Sequence, residues 1–127
     1  MQLGVVGLGR MGGNIVRRLV RSGHHCIVFD RNAAAVAALA GRNVVGAGDI
    51  GELCQRLGRP RAVWVMLPAG EATEAAVQAL GAALEPGDSV IDGGNAFYKD
   101  DIRRAAALKA KGIDYIDCGT AREDGSP

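Results

Sequence analysis

Three glycines stand within six residues, Gly7, Gly9 and Gly12 of the stretch GLGRMGG, directly after the short apolar run of residues 2–6. The spacing suits the pyrophosphate of a dinucleotide. The first glycine permits a tight turn, the second lets the backbone approach phosphate, and the third lets a helix sit close to its strand. A plain glycine-rich turn has the same composition, so context must decide. Part of that context is Asp30, eighteen residues beyond Gly12, where a carboxylate accepts hydrogen bonds from an adenosine ribose. Backbone N–H groups of residues 9–12 would face the phosphates, helped by the positive end of the following helix. Leu8, Arg10 and Met11 complete the loop as candidate cofactor contacts.

Asp30 and Arg31 pull in opposite directions on cofactor choice. A carboxylate that accepts from the 2′-hydroxyl of NAD repels the 2′-phosphate of NADP, whereas Arg31 can salt-bridge that phosphate. The residues favour NAD, with NADP as the second cofactor. A helix cap shared with Asn32 would also account for Asp30, and a solvated surface charge for Arg31. Farther along, VMLPAGE places Met66, Leu67 and Pro68 at the end of an apolar strand, on the sheet edge where open α/β sheets bind ligands. Stopping the strand would by itself explain Pro68. DGGN at 92–95 is a third candidate loop, in which two glycines allow close backbone approach and Asn95 offers a donor and an acceptor. A turn with a helix cap would read the same way. His24 and His25 are the two histidines and fall at a strand start, away from the expected ligand edge. No set of serine, aspartate and histidine falls at positions that would work together, no metal-ligand spacing occurs, and no catalytic acid or base is assigned.

These residues need elements to position them. Residues 2–6 read as a strand and 11–21 as a helix, with Ile15, Val16, Leu19 and Val20 at helical spacing and Gly23 as its stop. Residues 26–29 form a second strand, 33–39 a short alanine-rich helix, and 43–45 a third strand. After a helical turn or two in GDIGELCQRLGR comes the strand beginning at Ala62. A helix over 71–84 follows, with Ala76, Leu80 and Leu84 on one face, and then a PGD turn and a strand over 89–92. The last pair is a helix over 98–111, with Ile102, Ala105, Ala106 and Leu108 inward, and a strand over 113–118. Asp100 and Arg104, four apart, suit a solvent-exposed ion pair. Short apolar strands alternating with helices predict a parallel sheet covered on both faces, a doubly wound α/β domain.

At 127 residues the chain has room for one domain that hides roughly two thirds of its extended surface. Fifteen basic and fourteen acidic residues leave a net charge of +1, which gives no long-range positive field for nucleic acid. Aromatics at 4% are too few for a base-stacking surface. Cys26, Cys54 and Cys118 lack the paired spacing of a zinc or redox motif and read as reduced core thiols. No apolar run approaches the roughly 20 residues of a membrane helix. The expectation is a soluble, cytoplasmic protein with a small-molecule ligand and neither nucleic acid nor membrane as partner.

With these residues in hand, the chain resembles the amino-terminal part of the 6-phosphogluconate dehydrogenases, particularly the bacterial decarboxylating, NAD-preferring type. The resemblance rests on GVVGLGRMGGNIVRRLVRSGH, VFDRN, VWVMLPAG and above all VIDGGNAFYKDDIRRA, and it spans residues 1–120. Related β-hydroxyacid dehydrogenases share the glycine loop, but DGGNAFYKDD fits the phosphogluconate group better. The resemblance implies a Rossmann-like, doubly wound, mainly parallel sheet, incomplete at its C-terminus, in an NAD(P)-binding domain over 1–120. It assigns residues 7–12, Asp30, Arg31 and the loop at 66–70 to the cofactor. Asn95 falls between nicotinamide and the sugar acid, touching both cofactor and substrate.

The chemistry implied for a full-length relative is oxidation of the C3 hydroxyl of 6-phosphogluconate by hydride transfer, then loss of CO2 to give ribulose 5-phosphate. After YIDCGT the pattern departs. Residues 121–124, Ala-Arg-Glu-Asp, replace a serine and two glycines that help bind the sugar acid, and the family's base lysine and acid glutamate have no counterpart. The expectation is a cofactor half that is inactive alone, with a loose polar tail over 121–127. Because a helical domain supplies most of the family's dimer interface, a monomer or weak self-association follows. A stand-alone dinucleotide-binding module, or a remnant without catalysis, is the alternative.

Overall fold

The computed structural model describes residues 2–67, 71–93 and 98–117. Six strands and five helices alternate: β1 (Gln2–Val6), α1 (Arg10–Arg21), β2 (His25–Phe29), α2 (Ala33–Leu39), β3 (Val44–Gly46), α3 (Ile50–Arg56), β4 (Ala62–Val65), α4 (Glu71–Ala83), β5 (Ser89–Asp92), α5 (Tyr98–Lys109) and β6 (Asp114–Asp117). The strands form one sheet in the order β3-β2-β1-β4-β5-β6, every neighbouring pair parallel. This is the Rossmann-like doubly wound sheet. The chain winds outward from β1 to β3, then crosses back to place β4 on the other side of β1. The strand order therefore reverses between β1 and β4, and a crevice opens there at the carboxyl ends of the strands.

Successive strand residues point to opposite faces, so each strand feeds two cores. Val5, Cys26, Val28 and Val44 pack with Val16 of α1 and the half-buried Val36 and Leu39 of α2. Val6, Ile27, Val63, Val65 and Val90 pack on the other face with Leu53 of α3, Ala76, Val77 and Leu80 of α4, and Leu108 of α5. Helix α1 stops as expected: Gly23 takes φ +94, its N–H donates to Val20 O at 3.0 Å, and His24 N–H donates to Leu19 O at 3.0 Å, closing the helix end. Cys26 and Cys54 are buried free thiols, and burial pushes the Cys54 thiol up to about 11, which keeps it protonated and unreactive.

Helix α5 departs from expectation. Ala106 is exposed and Arg104 is buried, at 3% exposure. Arg104 is therefore not the solvent-exposed charge that its spacing suggested. Its Nε donates to Oε1 of Glu74 at 3.1 Å, beside Arg103, which grips both oxygens of the same carboxylate. A single helix carries no record of the acid on a neighbouring helix, so the local four-residue spacing could not show that Arg104 is buried against Glu74; the side chain of Asp100 lies outside the described residues.

Candidate functional site: the crevice over the glycine loop

The three glycines of the loop stand in three different surroundings. Gly7 takes φ +96, and a Cβ there would also stand 2.7 Å from the carbonyl oxygen of Met66. Its N–H donates to Phe29 O at 2.9 Å, which turns the chain out of the sheet. At Gly12, buried on the inner side of α1, a Cβ would collide with the carbonyl oxygen of Gly7. Gly9 is different. It has an ordinary φ of −66, and a Cβ built there meets nothing within 4 Å. Nothing in the protein itself requires the second glycine, and the open space beside it leaves the backbone free for close approach.

The start of α1 carries the same signature. Helix α2 is capped by Asn32, which accepts from Ala34 N–H at 3.0 Å. Helix α3 is capped by Asp49, which accepts from Glu52 N–H at 2.7 Å, while Glu52 reaches back to Gly48 N–H at 2.6 Å. Helix α1 has Gly9 at the capping position, no side-chain cap and no acid in its first turn. Its leading N–H groups have no carbonyl four residues earlier inside the helix and carry, with the helix dipole, partial positive charge on the turn that adjoins the crevice. Donors of this kind fit a phosphate anion. Arg10 and Met11 are exposed on this turn, Met11 at 55%, whereas Leu8 is buried and packs into the core. Gly9→Ala is expected to weaken dinucleotide binding about tenfold or more while leaving the thermal midpoint of the free protein unchanged. Titration calorimetry and a thermal melt separate the two. An equal loss of stability and affinity would make the glycine structural.

Asp30 stands at the end of β2, half-buried beside the loop. Its Oδ2 accepts from Leu8 N–H at 2.6 Å and its Oδ1 from Asn32 N–H at 2.8 Å. One carboxylate therefore ties the glycine loop to the start of α2, and Asn32 caps that helix separately. An ionised carboxylate has about four lone-pair positions, so capacity remains toward the crevice, whose wall Asp30 and the exposed Arg31 share. Val6, Gly7, Phe29, Ile50 and Leu67 line the same crevice, and Ala72, Ala75 and Ala76 of α4 close it. The apolar wall was missed in the sequence, although Ala72, Ala75 and Ala76 recur at the spacing of one helix face.

Met66 and Leu67 leave β4 after Val65, with Met66 N–H still donating to Val6 O at 2.8 Å. Leu67 lines the crevice, and Met66 lies against Gly93, where a Cβ would stand 2.5 Å from its sulfur. Both are half-buried. The structure thus brings Gly7, Asp30, Arg31 and Leu67 to one crevice, with Gly9, Arg10 and Met11 on the adjoining turn. Pro68 and Asn95 lie outside the described residues, as do Cys118 and the tail over 121–127. Among the described residues no three histidine, cysteine or carboxylate side chains are grouped to hold a metal ion. No described helix is long and apolar enough to cross a membrane.

The geometry has close parallels. Residues 2–124 match the family described as the NAD binding domain of 6-phosphogluconate dehydrogenase. An NAD(+)-dependent, decarboxylating 6-phosphogluconate dehydrogenase of Haloferax volcanii is 44% identical over 121 residues, 95% of this chain and 40% of that protein. A decarboxylating 6-phosphogluconate dehydrogenase of Treponema pallidum is 43% identical over 124 residues, 94% of this chain and 25% of that protein. Among solved structures, the Plasmodium falciparum 6-phosphogluconate dehydrogenase, described in its apo form, with its cofactor NADP+ and with its substrate 6-phosphogluconate, superposes with a TM-score of 0.82. It is 29% identical, and the match covers 91% of this chain and 26% of that one. The chain spans between a quarter and two fifths of the length of these relatives. A fold with its switch point at β1 and β4, a glycine loop whose middle position is open, and a match across nearly the whole chain converge on one assignment: the chain belongs to the family of the NAD binding domain of 6-phosphogluconate dehydrogenase.

Proposed function

We propose that this chain is the cofactor-holding part of a decarboxylating 6-phosphogluconate dehydrogenase and that it prefers NAD to NADP. The observation that carries the reading is the start of α1, uncapped and unobstructed at Gly9 beside the Asp30 carboxylate. The residues fit the cofactor in each part. First-turn N–H groups would hold the pyrophosphate, Asp30 would accept from a ribose hydroxyl, and the apolar wall of Ile50, Leu67 and the α4 alanines would cover the adenosine. When bound, the nicotinamide supplies the hydride acceptor for oxidation of the sugar acid. The chain's own residues bind and orient it, and Asn95, in the DGGN stretch, is the proposed contact to 6-phosphogluconate.

The preference for NAD rests on position. Asp30 is fixed at the crevice wall by two backbone N–H groups, so it cannot swing away from a 2′-phosphate without releasing Leu8 and Asn32. Arg31 is exposed and free of such ties among the described residues. Calorimetric titration with both cofactors is expected to show NAD bound at least tenfold more tightly, a difference of about 1.4 kcal/mol. Tighter binding of NADP would overturn the preference, and no saturable heat with either cofactor would overturn the reading itself.

A further inference from the structure

Two buried polar clusters lie in the half of the sheet built from β4 to β6, one at each end of the strands. At the amino edge Asp88, fully buried, accepts from Arg61 N–H at 2.7 Å, Arg61 Nε at 2.9 Å and Glu85 N–H at 2.8 Å. At the carboxyl edge Asp92, also fully buried, accepts from the Tyr115 hydroxyl at 2.5 Å. In the same half of the sheet the buried Arg104 holds Glu74, its Nε donating at 3.1 Å. These two contacts tie α5 to α4 and β6 to the last residue of β5.

Buried polar groups are costly to desolvate, and apolar residues of similar volume often give equal or greater stability. The carboxyl-edge cluster sits where a ligand is bound rather than where strands merely begin. It is joined through the backbone to α4, which walls the crevice, and to the carboxyl end of β5. Glu74 lies on α4 between Ala72 and the pair Ala75 and Ala76, which wall the crevice. Asp92 immediately precedes Gly93, whose missing side chain makes room for the Met66 sulfur. In a doubly wound sheet the two mononucleotide halves of the cofactor lie over the two halves of the sheet. The adenosine half belongs over β1 to β3 with Asp30, leaving the nicotinamide half over β4 to β6.

Resting on the dinucleotide reading above, we infer that Arg104 and Tyr115 are positioning residues for the nicotinamide half of the cofactor. They act through α4 and through the Asp92–Gly93 end of β5, and they touch no ligand themselves. Tyr115→Phe removes one hydroxyl, and Arg104→Lys keeps the charge while losing the planar fork. Affinities of each variant for NADH and for ADP-ribose, which lacks the nicotinamide, are compared with those of the unmodified protein. NADH binding is expected to weaken about three- to tenfold, the range for one hydrogen bond, with ADP-ribose within about twofold. Asp88→Asn, at the opposite edge, is expected to lower stability and leave the ratio of the two affinities unchanged. A merely structural role for Tyr115 and Arg104 would move both ligands together, or neither, and would overturn the inference while leaving dinucleotide binding intact. Failure of the unmodified protein to bind either ligand would overturn the dinucleotide reading and this inference with it.

Discussion

Gly12→Ala is expected to lower stability by about 3 kcal/mol or more, at the upper end of overpacking changes, and the thermal midpoint by about 10 °C. The new methyl group would run into the backbone carbonyl of Gly7. That carbonyl belongs to a turn at φ +96 whose N–H is bonded to Phe29, so it has little freedom to retreat. The alternative is to lift α1 off β1, which opens the packing of Val16 against Val5 and Val28. Either adjustment falls on the folded state alone. The contrast with Gly9→Ala, three residues earlier, is the sharper measurement. One substitution is expected to unfold the protein in less denaturant, and the other to leave the denaturation curve in place. Coincident curves for Gly12→Ala and the unmodified protein would show that α1 can shift outward without loss.

Asp88→Ala is expected to cost about 3–5 kcal/mol, the range for removing one partner of a buried ion pair. It strips an acceptor from two backbone N–H groups and leaves the Arg61 guanidinium, with a side chain only 9% exposed, facing Cys54 O at 3.2 Å and Glu85 at 3.7 Å. The same cluster sets an acid dependence. Burial by itself would raise the Asp88 carboxyl, but the Arg61 and Glu85 N–H groups and the Arg61 charge outweigh it and hold the carboxyl below its ordinary 3.8. Glu74 is held down to about 2, chiefly by Arg103 against the opposing effect of burial, with Gln78 and Arg104 adding to it. Groups lowered on folding contribute stability above their unfolded values and lose it as pH falls through the folded ones. The urea midpoint is therefore expected to drop between about pH 5 and pH 2, and Asp88→Asn to flatten the descent. A midpoint that stays level over that interval would show that neither carboxylate is linked to folding.

The sequence made the alternation of elements plain because each strand is a short apolar run closed by glycine, proline or aspartate, a signal local enough to read without neighbours. Residues 43–45, expected as a strand, pair instead from Val44 to Gly46, because Asn43 takes φ 67 and belongs to the turn. Gly7, Gly9, Gly12 and Asp30 were legible through fixed spacing along one strand, one turn and one helix. The burial of Arg104 was not, since Glu74, which it holds, lies on another helix and a four-residue spacing along α5 carries no sign of it. Asp88 read as part of a PGD turn for the same reason. The turn is real, but Arg61, 27 residues earlier, makes it a buried anchor. The apolar crevice wall stayed hidden because alanines at helical spacing look alike whether they face a core or a ligand.

The central place of β1 has a consequence for the order in which the protein can be made. Its hydrogen-bonding partners are β2, which follows at once, and β4, whose Val65 pairs with Val6 across 59 residues of chain. At ribosomal rates of about 5–20 residues per second, the nascent chain carries a bare β1 flank for roughly 3–12 s before that partner is synthesised. The first three strands can assemble in that interval, but only as a half-sheet whose interior strand is temporarily an edge. Slowing translation between codons 30 and 60 would lengthen the exposure of this sticky flank, and a synonymous recoding that speeds it would raise the soluble yield without altering a single side chain.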